Sequence, residues 1–394
     1  MKKIAIIFIL ALLCTVYSFS ADLGLLLDQK VELDNTVLSY TPSLTPWFSW
    51  TGNNNISLYF SGFLSMEYRR FNDGPDESNG WLKPLLRPEL SVFSLCSWAD
   101  NFFFEIGRMQ FNDTLSVTAS GLFDGFSFQF GVFSVGAFYT GFQFKKTAQI
   151  VMTAEDRDTF DTGWDWDHFN DYFASKRVIA SLRWDIPLFE YHNFSFEAVA
   201  QFDLNDHDEK LNSQYGEIAL DFYTAANTGI SIGAFFEAME TKGKDFTAAL
   251  GALAGIRTDL PGSLNDSLLL SAMFSSGLWT DTLGAFTPIS SIEYSEVFIG
   301  TLSGLGLIKA AYDIRIVPSL FAELSAAYFL RAYNDPESDG HAYGAEIWAS
   351  FSWQPLDDIR FNIGAGAFFP GMGNIYPKNT DTMWKLSAGL SISL

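Results

Sequence analysis

The sequence predicts an all-β fold: a transmembrane, antiparallel, up-and-down β-barrel of 18 strands, or of 16 if two weaker strands do not form. Three observations predict it. Polar and apolar residues alternate over long segments, apolar content is high although no helix-length apolar run follows residue 20, and short and long connections alternate along the chain. Alternation of this kind gives a strand one apolar and one polar face.

The first twenty residues have the pattern of a secretory signal peptide. Two lysines supply a positive start, residues 4–13 form a short apolar run, and Ser18 and Ser20 place small residues before the cut. The run is shorter than the roughly 20 residues that a membrane-spanning helix needs. We therefore expect residues 1–20 to be a signal peptide cleaved after Ser20, and residues 21–394 to form a single barrel domain.

Composition excludes several classes of protein. Hydrophobic residues make up 48% of the chain and aromatic residues 16%, with 39 Phe, while the net charge is −22. Disordered acidic chains have few aromatics, and nucleic-acid binding needs clustered Lys and Arg, so neither class fits. Cys96 is the single cysteine after the first twenty residues, so no disulfide can form within the mature chain.

The length of the alternating segments favours a membrane barrel over a soluble sheet. The alternation is plainest in residues 56–69, 193–204, 319–332 and 382–394. These segments run roughly 10 to 14 residues, whereas soluble strands are mostly 5 or 6 long and a tilted strand crosses a bilayer in about 9–11.

The whole chain can be divided in the same way. Sixteen strands are predicted near 56–69, 85–97, 101–110, 121–131, 134–145, 177–186, 193–204, 214–223, 228–240, 246–257, 266–276, 303–316, 319–332, 342–353, 359–369 and 382–394, with two weaker ones at 22–33 and 39–50. An even number lets an antiparallel sheet close, and closure leaves no unpaired strand edge in hydrocarbon.

The connections between these strands differ in length. Short turns are predicted at 51–55, 98–101, 225–227, 317–319 and 354–358, and longer polar loops at 72–83, 147–176, 205–213, 278–301 and 333–341. We expect the short turns to be periplasmic and the long loops extracellular, as in outer-membrane barrels.

The polar face of the predicted strands carries charges of both signs. We expect these side chains to line the lumen: Glu67, Arg69, Arg87, Glu89, Glu105, Arg183, Glu197, Glu237, Arg257, Arg315, Glu323, Arg331, Glu346, Arg360 and Lys385. Rings of one sign set ion selectivity in pores, and here neither sign dominates. Opposite charges on neighbouring strands can also simply pair across the wall, which is the alternative.

Tryptophans cluster at the predicted strand ends. An aromatic girdle at the membrane–water boundary is the favoured interpretation, and packing under loops is the alternative. The residues concerned are Trp47, Trp50, Trp98, Trp184, Trp348, Trp353 and Trp384.

The longest loop is acidic and aromatic. Its carboxylates are Glu155, Asp156, Asp158, Asp161, Asp165, Asp167 and Asp171. They lack the glycine and terminal Glu of an EF-hand, so we interpret them as a solvated acidic loop rather than a Ca²⁺ site. Because aromatic residues are interleaved, the loop is predicted to narrow the barrel mouth, with Trp164, Asp165, Trp166 and Asp167 as the constriction candidates.

No enzyme signature is found. The four histidines, His168, His192, His207 and His341, fall in predicted loops or turns and form no metal-spaced pair. We therefore expect no catalytic residue, no metal site and no cofactor.

Several short motifs resemble known outer-membrane barrels. The segments 343–346, 354–358 and 368–371 (YGAE, QPLDD and FFPG) resemble the last hairpins of the alginate-export family, whose barrels are typically 18-stranded. The similarity covers roughly the last 90 residues, with patches at 107–108 and 123–125 before them. Residues 122–125 and 139–141 are also similar to uncharacterised spirochaete outer-membrane proteins.

The resemblance implies a passive channel. We expect a porin-like protein of the outer membrane that passes small polar or anionic solutes, with membrane lipid and those solutes as its partners and no nucleic acid. The alternative is a structural or adhesin-type barrel acting through its acidic, aromatic loops. A transporter of hydrophobic compounds usually needs an N-terminal hatch, and nothing before Ser39 is long enough for one.

Overall fold

A computed structural model describes residues 20–52, 55–71, 85–145, 147–153, 172–189, 192–206, 210–225, 227–240, 247–262, 264–278, 283–333 and 340–394. These residues form one 18-stranded antiparallel sheet in which each strand pairs with its neighbours along the chain. β1 also pairs with β18, with Leu26 opposite Ser393 and Asp34 opposite Lys385, so the sheet closes into a barrel. No helix among the described residues is long and apolar enough to cross a membrane.

The strands follow one another without crossovers. They are β1 Ser20–Asp34, β2 Val37–Gly52, β3 Ile56–Phe71, β4 Leu85–Ala99, β5 Phe102–Asn112, β6 Ser120–Phe130, β7 Phe133–Tyr139, β8 Arg177–Phe189, β9 His192–Asp203, β10 Asn212–Ala225, β11 Thr228–Glu240, β12 Thr247–Asp259, β13 Ser267–Ser275, β14 Leu305–Val317, β15 Leu320–Arg331, β16 Ala342–Leu356, β17 Ile359–Phe369 and β18 Met383–Ser393. The prediction of 18 strands is confirmed, including the two weaker ones, which are β1 and β2.

The two rims of the barrel differ. The rim that holds Ser20 and Leu394, called the turn side here, has mostly two- or three-residue connections such as 100–101 and 357–358. The opposite rim, called the loop side, carries the long connections, including 140–176 and 276–304. The predicted alternation of short turns and long loops is confirmed.

One loop-side connection is short. Asn35 and Thr36 alone join β1 to β2. The Asp34 carboxylate accepts hydrogen bonds from the N–H groups of Thr36 and Val37, at 2.7 and 2.8 Å, and so closes the turn.

Each strand has two unlike faces, as β9 illustrates. Ser195, Glu197 and Val199 are buried, whereas the intervening Phe196 and the later Phe202 are exposed. Large exposed apolar side chains occupy the corresponding outer face of the other strands. The barrel therefore has an apolar exterior and a largely polar interior wall.

Three loop-side segments of the described chain fold back into the cylinder: 113–119, 140–153 and 284–302. The last of these contacts Glu237 on β11 and Glu346 on β16. A segment that reaches the polar faces of two such distant strands lies inside the barrel.

The main apolar cluster consequently lies within the cylinder. It joins Val117, Ile150 and Phe286 of the inserted segments to Val199 and Phe235 of the wall. All five side chains are at most 4% exposed. The inserted segments thus pack as a core against one part of the wall.

The predicted strand 134–145 is too long. β7 ends at Tyr139, because Thr140 and Gln143 form a turn closed by a bond from the Gln143 N–H to the Thr140 carbonyl at 3.1 Å. The apolar residue Phe144, which continues the strand-like alternation, is instead fully buried in the inserted segment.

The predicted girdle is wrong for Trp348. Trp184 and Trp353 are exposed on the outer face, where they stack on Phe133 and Phe361 with ring centroids 5.5 Å apart. Trp348 is buried, next to Glu346 on the interior face of the same strand, β16. It fills space left by two glycines of β17, Gly364 and Gly366, where any Cβ would collide with the indole.

Candidate functional site

Carboxylates of the interior wall bind the first inserted segment, 113–119. The Glu197 carboxylate accepts the Thr114 N–H at 2.7 Å and the Thr114 hydroxyl at 2.9 Å. Glu217, directly opposite Glu197 on β10, accepts the Leu115 N–H at 3.1 Å. Two acidic side chains that face each other are therefore held by donors of the segment.

The same segment is organised around its own carboxylate. Asp113 accepts the N–H groups of Leu115, Val117 and Thr118 at 2.9, 3.2 and 2.8 Å, and also that of Ala119. Asp113 is 2% exposed. A buried carboxylate needs several donors to offset its lost hydration, and this loop supplies them from its backbone.

The third inserted segment, 284–302, is bound first at β10 and β11. The Glu237 carboxylate accepts the Thr287 N–H at 2.6 Å and the Ser213 hydroxyl at 2.9 Å. The Tyr215 hydroxyl donates to the Thr287 carbonyl at 2.7 Å. Phe286 packs on Phe235 with ring centroids 4.7 Å apart.

The same segment is bound again at β16. Glu346 accepts three successive backbone N–H groups, those of Glu296, Val297 and Phe298, at 3.0, 3.1 and 2.7 Å. Phe298 is buried against Phe329, with ring centroids 4.5 Å apart.

Arginines hold the second inserted segment, 140–153. Arg108 forms a bidentate pair with Asp124, both bonds 2.8 Å long, and donates to the carbonyls of Leu90 and Phe142 at 2.6 and 3.0 Å. Arg177 donates to the Val151 carbonyl.

The end of that connection returns to the wall at Tyr172. Its hydroxyl donates to the Pro88 carbonyl at 2.6 Å. Burial raises the pKa of Tyr172 to about 12, and the nearby Glu89 carboxylate adds to the effect. Glu89 itself accepts the Thr147 hydroxyl at 2.7 Å.

The described residues line at least four cavities in the rest of the interior. The loop-side cavity, of about 670 Å³, lies between strands β1, β2, β3 and β18 and the tip of segment 284–302. A narrow cavity of about 230 Å³ lies next to it, and a central cavity of about 660 Å³ and a turn-side cavity of about 490 Å³ both extend to Asp259 at the turn-side end of β12. Glu293 lines the first three, and Arg257 lines the last two.

The central cavity has mixed chemistry. The apolar side chains of Leu253, Met273 and Leu307 form part of its wall. Its charged lining has both signs: Arg257, Lys309, Asp259 and Glu293. Lys309 also lines the narrow cavity, together with Glu293. The arrangement can accommodate a small solute with an apolar body and a charged group.

The structure divides the sequence-predicted charged residues into groups. Glu89, Glu197, Glu237 and Glu346 bind inserted segments, as described above. Other residues pair within the wall or its rim: Glu67 with Arg69 and Arg87, Arg183 with Asp185, Glu105 with Ser94, Lys385 with Glu32, Arg360 with Gln354 and Arg315 with the Pro318 carbonyl. Arg331 is buried over the Tyr333 ring, at 5.2 Å from its centroid.

Several predicted residues also line the cavities. Glu67, Arg69 and Lys385 lie at the loop-side cavity, Arg257 and Arg315 at the turn-side cavity, and Glu323 at both the narrow and turn-side cavities. The predicted constriction residues Trp164, Asp165, Trp166 and Asp167 lie outside the described residues, as do His168 and His207. Within the described part of the chain, no group of three or more His, Cys, Asp or Glu side chains could hold a metal ion.

Sequence reasoning did not single out Asp113, Arg108 or Glu293 as site residues. Arg108 was not singled out because the alternation of buried and exposed side chains breaks beside it. Gly107 has φ +135°, a conformation that favours glycine, and both Arg108 and Met109 are buried after it. The Gly107-Arg108 pair was the available signal.

No protein-family model and no curated protein matches the chain. Solved structures do match over almost its whole length. The fold is that of outer-membrane porins. OpdK of Pseudomonas aeruginosa, solved with vanillate, is 12% identical with a TM-score of 0.63, and the match covers 95% of this chain and 98% of that one.

Two further porins of Pseudomonas aeruginosa give the same result. OccK5 (OpdH) is 9% identical with a TM-score of 0.61, covering 95% of this chain and 98% of its own. OprD is 12% identical with a TM-score of 0.57, covering 95% of each chain. At these identities the likeness to the porins is a likeness of fold.

Proposed function

We propose that this chain is an outer-membrane channel for the passive passage of small polar or anionic solutes. The observation that carries the proposal is the row of four cavities inside a closed barrel, linked from the loop side to the turn side by shared lining residues. A barrel with an apolar exterior and charged internal cavities suits a membrane wall around a water-filled path.

The proposed location is the outer membrane, with its lipid covering the apolar exterior. A closed barrel satisfies its backbone hydrogen bonds within the sheet, as hydrocarbon requires. Cleavage of a signal peptide after Ser20 is part of the proposal. Residues 1–19 lie outside the described residues, and β1 begins at Ser20.

The proposed lumen is lined by the predicted charged residues that reach the cavities. Arg257 and Lys309, beside the apolar wall of the central cavity, can pair with the anionic group of a solute that also has an apolar body. OpdK, whose fold is similar, was solved with vanillate, a small aromatic carboxylate. A compound of that chemistry is the first solute to test.

The finer resemblance to the alginate-export family stays a prediction, since no family model matches the chain. The same holds for the similarity to spirochaete proteins. No catalytic role and no cofactor are proposed, in keeping with the channel function.

Single-channel recording tests the proposal. The purified mature protein, folded in detergent and added to a planar bilayer, is expected to give stable, ohmic conductance steps. Replacing Lys309 by Glu should shift ion preference toward cations, because it reverses the charge at the junction of two cavities. Folded protein that never conducts would contradict the channel and favour the structural or adhesin-type barrel.

A further inference from the structure

The tip of the third inserted segment, residues 293–300, lies where the cavities meet. Glu293 lines the central, narrow and loop-side cavities, and Glu296 lines the last two. Ile299 is 93% exposed and lines the loop-side cavity. A solute that moves between the loop-side and central cavities therefore passes this tip.

Two neighbouring contacts, with Glu346 of β16 and with Phe368 opposite it on β17, fix the tip. The Phe298 ring is buried among aromatic rings and stacks on Phe368 with centroids 4.7 Å apart. The backbone on the N-terminal side of that ring is held by Glu346. Since Phe298 points into the core and Ile299 into the cavity, the tip is attached on one side and faces the path on the other.

The Glu346 carboxylate holds this segment in place by hydrogen bonds. Glu346 is 4% exposed, and its bonds among the described residues are the three from the N–H groups of residues 296–298. Three successive N–H groups that converge on one carboxylate form a concave anion-binding arrangement of the backbone. Without the carboxylate these donors would be left unpaired inside the barrel, which disfavours the present position of the tip.

We propose that Glu346 is the positioning residue of an internal gate: it holds segment 293–300 across the passage and so places Glu293 where it sets the charge preference of the channel. The proposal rests on the channel function proposed above. Glu293 acts directly on passing ions through its carboxylate at the junction, whereas Glu346 acts through the segment.

A double-mutant cycle tests the coupling. In the otherwise unchanged protein, Glu293→Gln should raise the anion-to-cation permeability ratio by about twofold or more, because one negative charge leaves a narrow path. Glu346→Ala should increase conductance and current noise. In the Glu346→Ala background, Glu293→Gln should then change the permeability ratio little, because Glu293 no longer stands at the junction.

Glu323→Gln is the matched control. Like Glu293, Glu323 is a carboxylate that lines the narrow cavity, but it is carried by the wall strand β15 and not by the segment. Its effect on the permeability ratio should be the same with and without Glu346→Ala. Equal effects of Glu293→Gln in both backgrounds would overturn the proposal, whereas the absence of conductance in the unchanged protein would overturn the channel function itself.

A second measurement tests the gate even if the Glu346→Ala variant does not fold into the membrane. In a Cys96→Ser background, Ile299→Cys should react with a water-soluble methanethiosulfonate and lose most of its conductance, since position 299 borders the passage. Glu346→Gln, which keeps one acceptor oxygen, should assemble and show intermediate current noise. Full modification of the thiol introduced by Ile299→Cys, without any change in conductance, would contradict a gate at this tip.

Discussion

At the scale of single residues, three buried carboxylates of the wall hold backbone of the inserted segments. Glu197, Glu237 and Glu346 each accept hydrogen bonds from N–H groups of segments that are not part of the wall. An inserted loop brings unpaired backbone donors into the interior, and an acceptor on the wall satisfies them at fixed positions. The polar interior is therefore partly a binding surface for the chain's own loops.

Asp113 gives a direct test at this scale. Asp113→Ala removes the acceptor for four backbone N–H groups and should lower the free energy of unfolding by about 2–3 kcal/mol, as for buried donors left unpaired. Urea titration of the barrel in detergent measures it. Asp100→Ala, in an exposed turn, should change the same quantity by less than about 0.5 kcal/mol. Equal effects of the two substitutions would contradict the role of Asp113.

The raised pKa of Tyr172 predicts that the folded protein loses stability at alkaline pH. Its pKa is raised to about 12 in the folded protein, so the neutral phenol is favoured by folding. The contribution to stability is fully present below the unfolded pKa of about 10 and is lost as the pH rises through the folded value. Protease cleavage of segment 140–176 should increase over that range in the wild type. Tyr172→Phe should lack this pH-dependent increase.

At the scale of elements, each strand separates two environments by side-chain parity. Ile347 lies on the outer face of β16 and is exposed, whereas Ser350 lines the turn-side cavity from the same strand. Replacing an outward residue by Arg places a charge against lipid, while the same change on the interior face leaves it beside water.

Substitution of Ile347 and of Ser350 by the same residue, Arg, tests this assignment of the two faces. Ile347→Arg should lower the free energy of unfolding in lipid vesicles by about 2–4 kcal/mol, and Ser350→Arg by less than about 0.5 kcal/mol. Chemical denaturation followed by tryptophan fluorescence measures both. A greater loss for Ser350→Arg would mean that the two faces have been assigned the wrong way round.

Strands were predictable from the sequence, whereas the inserted segments 113–119 and 284–302 were not. The two-residue period located all eighteen strands, even β1 and β2, because one face must be apolar along the whole crossing. Whether segments 113–119 and 284–302 insert into the barrel depends on hydrogen-bond acceptors such as Glu197 and Glu346, which are remote from them in sequence. The girdle prediction for Trp348 was wrong for a related reason, since the position of its side chain depends on Gly364 and Gly366 of the next strand.

At the scale of the whole molecule, the interior is filled unevenly. The largest apolar cluster joins inserted segments to wall residues of β5 to β12, while the loop-side cavity borders β1, β2, β3 and β18. The central cavity, in contrast, borders β10 to β14, so the proposed passage runs from one part of the wall toward the opposite part.

Cysteine labelling can map this asymmetry. In a Cys96→Ser background, Ser271→Cys should react with a water-soluble thiol reagent and reduce conductance, because Ser271 lines the central cavity. Ser213→Cys should remain unmodified, because Ser213 is 2% exposed and bonded to Glu237. Reaction at both positions at similar rates would indicate a wide central lumen instead.

The two-residue turn at Asn35–Thr36, between β1 and β2, is the shortest connection of the loop side. The loop-side cavity begins at that point, with Glu32, Asp34 and Lys385 at its edge. A solute that enters on the loop side would thus meet these charged strand ends together with segment 293–300 and with Thr380 and Asp381. Inserting several residues into this turn would raise a barrier at the entrance and slow entry, while the machinery deeper in the barrel stayed as it is.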